Sequence, residues 1–209
     1  MVYHAGDVIH AAECAVVKEI LLVAVAYLVG AIPTGLLLGK AMGVDIRASG
    51  SGNIGATNAY RTLGKKVGIL TLAGDCLKGI VPVLALKLMG VPDLWVVLGG
   101  LAAFLGHVYT VFLGFKGGKG VATALGVFLV ISPLAVLCSL MVFLLVVWKW
   151  RYVSLGSITA AAAMPLFVIL IEHKSFPTLL AIIVASIIVQ KHRENIERLK
   201  AGTESKFKA

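Results

Sequence analysis

Two glycine-rich stretches carry the residues in this sequence that are best suited to chemistry. Residues 50–58 read Gly-Ser-Gly-Asn-Ile-Gly-Ala-Thr-Asn, here called the first glycine loop, and residues 116–120 read Lys-Gly-Gly-Lys-Gly, the second glycine loop. Glycine lets backbone N–H groups turn toward one point, and polar side chains add donors, which is the chemistry that binds a phosphate or an oxyanion. The candidate ligands are Ser51, Gly52, Asn53, Gly55, Thr57 and Asn58 in the first loop, and Gly117, Gly118, Lys119 and Gly120 in the second.

Neither loop matches a nucleotide-binding motif in full. Residues 50–55 have the spacing of a dinucleotide fingerprint, but that fingerprint needs a preceding strand, and an apolar run precedes it here. The second loop is similar to half of a P-loop and precedes a predicted helix at Val121, whose N-terminus would favour an anion. The alternatives are a polar surface turn for the first loop, and anchoring of a helix end at lipid headgroups for Lys116.

Four polar residues elsewhere extend the pattern. Arg61 follows the first glycine loop, and Ser157 lies near the start of an apolar run, where it would either cap a helix or bind a ligand. His192 and Asn195 are three residues apart, so they would share a helical face. Histidine can exchange protons near neutral pH, and an asparagine amide can donate to a developing oxyanion. Glu197 would not share that face, so a His–Glu dyad is not expected.

A charged pair lies inside an apolar run. Asp75 and Lys78 are three residues apart, and such a pair at membrane depth is costly and therefore a functional candidate. The alternative is a local ion pair that stabilises a helix bundle. His107, near the end of the next apolar run, is expected to be structural. The sequence has no Ser–His–Asp order, paired catalytic carboxylates or His/Cys cluster, so we expect no covalent acyl-enzyme, metal or other cofactor.

The composition is that of an integral membrane protein. Of 209 residues, 59% are hydrophobic and 14% are charged, whereas a soluble domain carries about 25% charged residues. The net charge of +9 fits basic cytoplasmic loops and an anionic ligand, so nucleic acid is not an expected partner. Residues 1–16 lack a basic signal-peptide region. We interpret them as a poorly ordered extension, and residues 17–209 as one transmembrane domain with a short cytoplasmic tail.

Hydropathy and charge predict an all-α fold with about seven transmembrane helices, the N-terminus outside and the C-terminus cytoplasmic. One apolar run is interrupted at Ser132-Pro133, and dividing it there leaves only Lys18, Lys87 and Lys174 outside, as the positive-inside rule favours. A helix over residues 121–131 would cover only about 16 Å of a core of about 30 Å, so some helices must be short, tilted or re-entrant. The runs are 17–42, 67–89, 93–113, 121–148, 157–172 and 177–190.

This arrangement brings polar segments from distant parts of the chain to the cytoplasmic face. They are the two glycine loops, residues 154–157 and residues 192–195. Convergence of donors and cations on one membrane surface indicates a single active site.

Three segments together resemble the bacterial acyl-phosphate:glycerol-3-phosphate acyltransferase family. They are residues 50–58, 116–123 and 192–204, and the resemblance runs from about residue 20 to 204 in matching order. It implies transfer of a fatty acyl group from acyl phosphate to the 1-hydroxyl of sn-glycerol 3-phosphate, giving lysophosphatidic acid and phosphate in the first step of phospholipid synthesis. It also implies seven spans in the bacterial inner membrane and no need for acyl-CoA or acyl carrier protein as the direct donor. It further implies functional roles for Ser51, Arg61, Lys119, Ser157, His192 and Asn195.

We hypothesise that the glycerol hydroxyl attacks the acyl carbonyl directly. Arg61 and Lys119 would hold phosphates, Asn195 would orient the substrate or stabilise the oxyanion, and backbone N–H groups of residues 52–55 and 117–120 would surround the leaving phosphate. His192 would be either the base or a positioning group. The expected partners of this monomer are acyl phosphate, glycerol 3-phosphate and the bilayer.

The competing interpretation is a membrane transporter for an anionic phosphorylated metabolite. A transporter would place polar residues near the bilayer midplane, in paired broken helices related by an internal repeat. Only Asp75 and Lys78 fit that description, so we favour the enzyme.

Overall fold

The computed structural model describes the backbone of residues 5–207, with side chains described from residue 13 onward except that of Ala15. This part of the chain contains ten α-helices, two 3₁₀ turns (Ile46–Ala48 and Val111–Leu113) and no strand, as expected for an all-α protein. The helices are α1 Ala5–Ala31, α2 Thr34–Ala41, α3 Ala56–Leu63, α4 Lys65–Leu88, α5 Asp93–Val108, α6 Val121–Ile131, α7 Pro133–Trp150, α8 Val153–Glu172, α9 Ser175–Lys191 and α10 Arg193–Lys200.

Helix α1 overlaps the predicted N-terminal extension. It begins at Ala5, so residues 5–16 continue the helix that contains the first apolar run. Residues 1–4 of the extension lie outside the described residues. The division of the chain at residue 16 therefore stays a prediction.

Prolines divide two of the predicted apolar runs. The run over 121–148 breaks at Ser132, and Pro133 is the first residue of α7, a position where its missing N–H costs nothing. This break was predicted. The run over 17–42 also breaks, at Ile32 and Pro33, with a bend of 41° between the helices on either side. This second break was not predicted. Proline disfavours helical backbone at the residue before it, which explains the second break.

The apolar helices vary in length. In the part of the chain that the structure describes, α4, α5 with the following 3₁₀ turn, α7 and α8 are long and apolar enough to cross a membrane. The count rises from 4 to 6 if α1 with α2, and α9 with α10, each form one bent span. The shorter α6 has 11 residues and completes the predicted seven only if it is counted as a span. The outward faces carry large apolar side chains such as Trp148 and Leu145.

Two apolar clusters position the polar loops. The larger one is centred on Phe104 and Val127 and packs α4, α5, α6 and α9 together. Its helices approach closely at Gly126, where a Cβ would overlap the Cys76 carbonyl. The smaller cluster holds the first glycine loop between α2, α3 and α4, with Ile54 of the loop as a member. Both loops are thus fixed to the helical core.

Candidate functional site

Asn58 organises the first glycine loop. Its side chain is buried, its Oδ1 accepts from the Ser51 N–H at 2.9 Å, and its Nδ2 donates to the carbonyls of Ile46, Ser49 and Asn53. All of these bonds lie within the polypeptide segment that leads into α3. This geometry favours a structural role for Asn58 over direct contact with a ligand.

Two further groups in the same loop are occupied. The Asn53 Oδ1 accepts from the Gly55 N–H at 2.9 Å, and the Gly52 N–H donates to the Ser49 carbonyl at 3.1 Å. The N–H groups of Gly52 and Gly55, which the hypothesis assigned to phosphate, are therefore used inside the loop. The exposed side chains on this loop that can meet a ligand are those of Ser51 and Thr57.

The second glycine loop folds back on the end of α5. The Gly117 N–H donates to the Val108 carbonyl at 3.2 Å, and the Gly118 N–H donates to the His107 carbonyl at 3.1 Å. Gly120 has a φ of +81°, which favours glycine, and α6 begins directly after it. The N–H groups of Gly117 and Gly118 are thus already bonded to protein carbonyls. The hypothesis assigned both of them to phosphate, so a backbone anion site here would use the amides of residues 119 and 120.

Lys119 reaches from this loop to the C-terminal segment. Its Nζ donates to the Asn195 Oδ1, although 76 residues separate them along the chain. Burial lowers the pKa of Lys119, and the nearby Arg198 and Arg61 lower it further, while Glu204 opposes this effect. The side chain therefore presents a partly desolvated ammonium beside Asn195, which strengthens its attraction for an anion.

Glu204 holds Asn195 in place. Its Oε1 accepts from the Asn195 Nδ2 and from the Ser154 hydroxyl, each at 2.7 Å, and its Oε2 accepts from the Arg198 Nε at 2.7 Å. Burial would raise the pKa of Glu204, but these three hydrogen bonds outweigh it and lower the pKa. The carboxylate is thus ionised, and it fixes the amide orientation that presents the Asn195 oxygen to Lys119.

His192 lies at the junction of α9 and α10. Its ring is buried, and Nδ1 lies 2.8 Å from the Ile188 carbonyl. A carbonyl can only accept, so Nδ1 carries the proton and Nε2 keeps its lone pair in the neutral ring. Burial lowers the pKa of His192 to about 4, an effect that the Ile188 carbonyl opposes and the Lys119 ammonium reinforces. His192 is therefore neutral near pH 7.

Arg61 contacts the C-terminal tail, which is formed by residues 201–207 after α10. Its Nη2 donates to the Ser205 carbonyl at 3.2 Å, and the neighbouring Tyr60 ring lies 5.9 Å from the ring of Phe207. The Phe207 N–H donates to the Arg151 carbonyl at 2.6 Å. The tail therefore links the helix after the first glycine loop to Glu204, Asn195 and the second loop.

Ser157 lies inside α8 and does not cap it. The helix begins at Val153, and the Ser157 hydroxyl donates to the Val153 carbonyl at 2.9 Å. The capping alternative in the sequence analysis is wrong, because the helix starts one turn earlier than the apolar run. Ser157 is buried one turn beyond Ser154, which itself contacts Glu204.

Four of the predicted site residues converge, and Glu204 and Arg198 were missed. Lys119 bonds directly to Asn195, and the Lys119 ammonium lies close enough to His192 and to Arg61 for their charges to act on one another. Ser51, in contrast, makes its one described hydrogen bond within its own loop. The signal that could have identified Glu204 is an isolated carboxylate in a basic tail. Among the described side chains, no three His, Cys, Asp or Glu residues lie close enough to hold a metal ion.

Fold and site together define a helical, membrane-embedded protein with a cationic site where the helices meet the polar tail. The sequence model of the glycerol-3-phosphate acyltransferase family matches residues 20–202, and this chain belongs to that family. It is 65% identical over 191 residues to the glycerol-3-phosphate acyltransferase of Geotalea daltonii, covering 91% of this chain and 98% of that relative.

Two solved structures have the same fold. Both are of PlsY, an integral membrane glycerol 3-phosphate acyltransferase, one in a glycerol 3-phosphate form and one in a lysophosphatidic acid form. Each is 46% identical to this chain, with TM-scores of 0.87 and 0.85, and each comparison covers 91% of this chain and 96% of the other. This chain is therefore similar to them over nearly its full length, as an integral membrane protein with apolar helices.

Proposed function

We propose that this protein transfers a fatty acyl group from acyl phosphate to the 1-hydroxyl of sn-glycerol 3-phosphate, releasing lysophosphatidic acid and phosphate. Acyl transfer to glycerol 3-phosphate is the activity named for its family. The observation that carries the proposal for this chain is the contact of Lys119 with Asn195, beside His192, at a site that Arg61 also approaches. We propose acyl phosphate as the donor because residues 50–58, 116–123 and 192–204 resemble the family that uses it.

Both proposed substrates are phosphorylated, which explains the cations. Lys119 and Arg61 would offset the repulsion between two phosphate groups, Lys119 as a compact ammonium and Arg61 through its two-pronged guanidinium. Ser51 and Thr57 stay predicted ligands, and Ser157 stays one through its hydroxyl oxygen, since its proton is donated to the Val153 carbonyl. Asn58, Gly52, Gly55, Gly117 and Gly118 would act by shaping the loops, because their donors are already used there.

The reaction would be a direct displacement. The glycerol oxygen forms a bond to the acyl carbon, the bond from that carbon to the phosphate oxygen breaks, and phosphate leaves. The hydroxyl proton ends on the released phosphate. His192 accepts a hydrogen bond from the attacking hydroxyl through Nε2 and orients it, since a ring with a pKa of about 4 is a weak base. The second N–H of Asn195 is suited to stabilise the developing oxyanion.

We also propose seven spans in the bacterial inner membrane, with the site facing the cytoplasm and the N-terminus outside. The excess of Lys and Arg in the segments that adjoin the site supports this orientation. The short α6 would be the seventh span, in a locally thinned bilayer. We propose a monomer, because all the converging side chains come from one chain.

No observation favours the transporter. The charged groups of Asp75 and Lys78 are paired with each other at 2.9 Å and buried in the helix bundle. The family that contains this chain is one of acyltransferases.

The direct test is purified protein in lipid vesicles with palmitoyl phosphate and glycerol 3-phosphate. We expect lysophosphatidic acid and phosphate in equal amounts, and no product when palmitoyl-CoA replaces palmitoyl phosphate. Lysophosphatidic acid formed only from palmitoyl-CoA would overturn the donor assignment. Flux of glycerol 3-phosphate into sealed vesicles without any product would support the transporter instead.

A further inference from the structure

A buried polar network lies beneath the second glycine loop, and the proposed displacement makes no direct use of it. It consists of Asp75 and Lys78 on α4, His107 on α5 and Thr123 on the first turn of α6. These residues are between 0% and 5% exposed. Ionised groups at membrane depth are costly, so a network of this kind indicates a function that offsets the cost.

The network ties three helices together. The Lys78 Nζ lies 2.9 Å from the Asp75 Oδ1. The Thr123 hydroxyl donates to the Asp75 backbone carbonyl at 2.9 Å and lies 3.1 Å from the His107 Nδ1. Because the one hydroxyl proton goes to that carbonyl, Nδ1 is the donor in the contact with Thr123. The Asp75 Oδ1 lies 3.8 Å from the same nitrogen and stabilises that orientation of the ring.

His107 connects the network to the second glycine loop. The Gly118 N–H donates to the His107 carbonyl, and a Cβ at Gly118 would overlap the His107 Nε2. The imidazole thus forms the surface on which Gly118 rests. Thr123 follows the loop in the first turn of α6 and orients the same ring through its contact with Nδ1. Lys119 lies between these two fixed points, so its position depends on both.

Lys78 connects the network to the first glycine loop through the break between α1 and α2. Its Nζ donates to the Ile32 carbonyl at 2.8 Å, at the break between α1 and α2. Helix α2 in turn contacts the first glycine loop, since Gly35 closely approaches the Ile54 carbonyl. Through these contacts, the residues of one buried ion pair are connected to both loops.

We propose that Asp75, Lys78, His107 and Thr123 are positioning residues that hold the second glycine loop, and Lys119 with it, in register with the first loop. The catalytic consequence rests on the proposed acyl transfer, whereas the anchoring of the loop does not. A pair that merely stabilises the helix bundle would affect global stability alone. A positioning network also controls the local order of residues 117–118.

Thr123 offers the sharpest test, because valine has its shape and lacks its hydroxyl. The matched control is Thr71→Val, since Thr71 is also fully buried and its hydroxyl has no hydrogen-bond partner among the described residues. Thr123→Ser keeps the hydroxyl and should rescue the effect. Thr123→Ala is a second way to remove the hydroxyl if Thr123→Val does not fold.

The first readout is amide hydrogen exchange at Gly117 and Gly118, without substrate. We expect exchange to be about tenfold faster in Thr123→Val, as for loss of one buried hydrogen bond, and unchanged in Thr123→Ser and Thr71→Val. The second readout is a rise of about tenfold in KM for glycerol 3-phosphate, with kcat changed less, because Lys119 would be displaced.

The outcomes separate the two proposals. Unchanged exchange at Gly117 and Gly118 in Thr123→Val would overturn the positioning network, whether or not the protein is an acyltransferase. An equal loss of global stability in Thr123→Val and Thr71→Val, with no local change, would also overturn it. Absence of acyl transfer by the wild-type protein would instead overturn the proposed function.

Discussion

At the scale of single residues, the site depends on one carboxylate that holds the other groups in place. Glu204 accepts from Ser154, Asn195 and Arg198, and Asn195 then presents its oxygen to Lys119. Hydrogen bonds to a charged acceptor are stronger than those to a neutral one, so this arrangement is rigid. Glu204 thus acts on the chemistry through Asn195.

Glu204→Gln tests this role. Glutamine keeps the shape, but one end of its amide is a donor, so either Arg198 or the pair Ser154 and Asn195 would face a donor instead of an acceptor. We expect kcat/KM to fall about tenfold to 100-fold, as for a buried group left unsatisfied.

The matched control for Glu204→Gln is Glu197→Gln. Glu197 is exposed on α10, and its loss should change kcat/KM less than about twofold, as is usual at surface sites. A larger loss in Glu197→Gln than in Glu204→Gln would contradict the proposed role of Glu204 and revive a His192–Glu197 dyad.

At the scale of elements, the short helix α6 matters because it carries the second glycine loop at its N-terminus. Gly126 lets α6 lie directly against α4, at the Cys76 carbonyl. The packing therefore transmits the position of α4 to the loop. Helices that approach this closely rely on small residues at the contact.

Gly126→Ala should separate α6 from α4. A Cβ there has no space, and overpacking of this kind costs about 1–3 kcal/mol. We expect a lower Tm and a higher KM for glycerol 3-phosphate, measured by thermal unfolding in detergent and by steady-state kinetics. Gly90→Asn is the control, because a Cβ there meets nothing within 4 Å and asparagine tolerates its φ of +67°. An unchanged Tm in Gly126→Ala would contradict this packing argument.

Across the protein, polar groups from segments far apart in the chain gather beside the C-terminal residues. Arg61 contacts Ser205, and Lys119 contacts Asn195. These contacts require the first glycine loop and the C-terminus to share one side of any membrane that the helices cross. The proposed orientation, with that side cytoplasmic, rests on the basic residues near the site.

Cysteine labelling tests this topology. In a background with Cys14, Cys76 and Cys138 replaced by serine, we expect Lys174→Cys to react with an impermeant maleimide in intact spheroplasts. Lys66→Cys and Lys200→Cys should react only after the membrane is permeabilised. All three positions are exposed, so accessibility to solvent does not distinguish them. Labelling of Lys66→Cys and Lys200→Cys from opposite sides would contradict the shared site.

Much of the helix pattern could be predicted because it follows from local chemistry. Apolar runs marked most of the helices, and Pro133 divided one run as expected, since proline lacks the N–H of a helix interior. The break at Pro33 was missed, although the same rule applies to it. Prolines at positions 82 and 165 lie inside α4 and α8, so the residue type alone does not determine where a helix ends.

Composition, apolar runs and motif spacing were enough to predict a helical membrane protein with cations and glycine loops suited to phosphate. The folded structure was needed to show which donors stay available and which are used internally, as at Asn58 and Gly118. It also revealed Glu204, whose partner Ser154 is fifty residues away in the chain. Apolar burial can be predicted from neighbouring residues, whereas the partner of a buried polar group depends on contacts between distant segments.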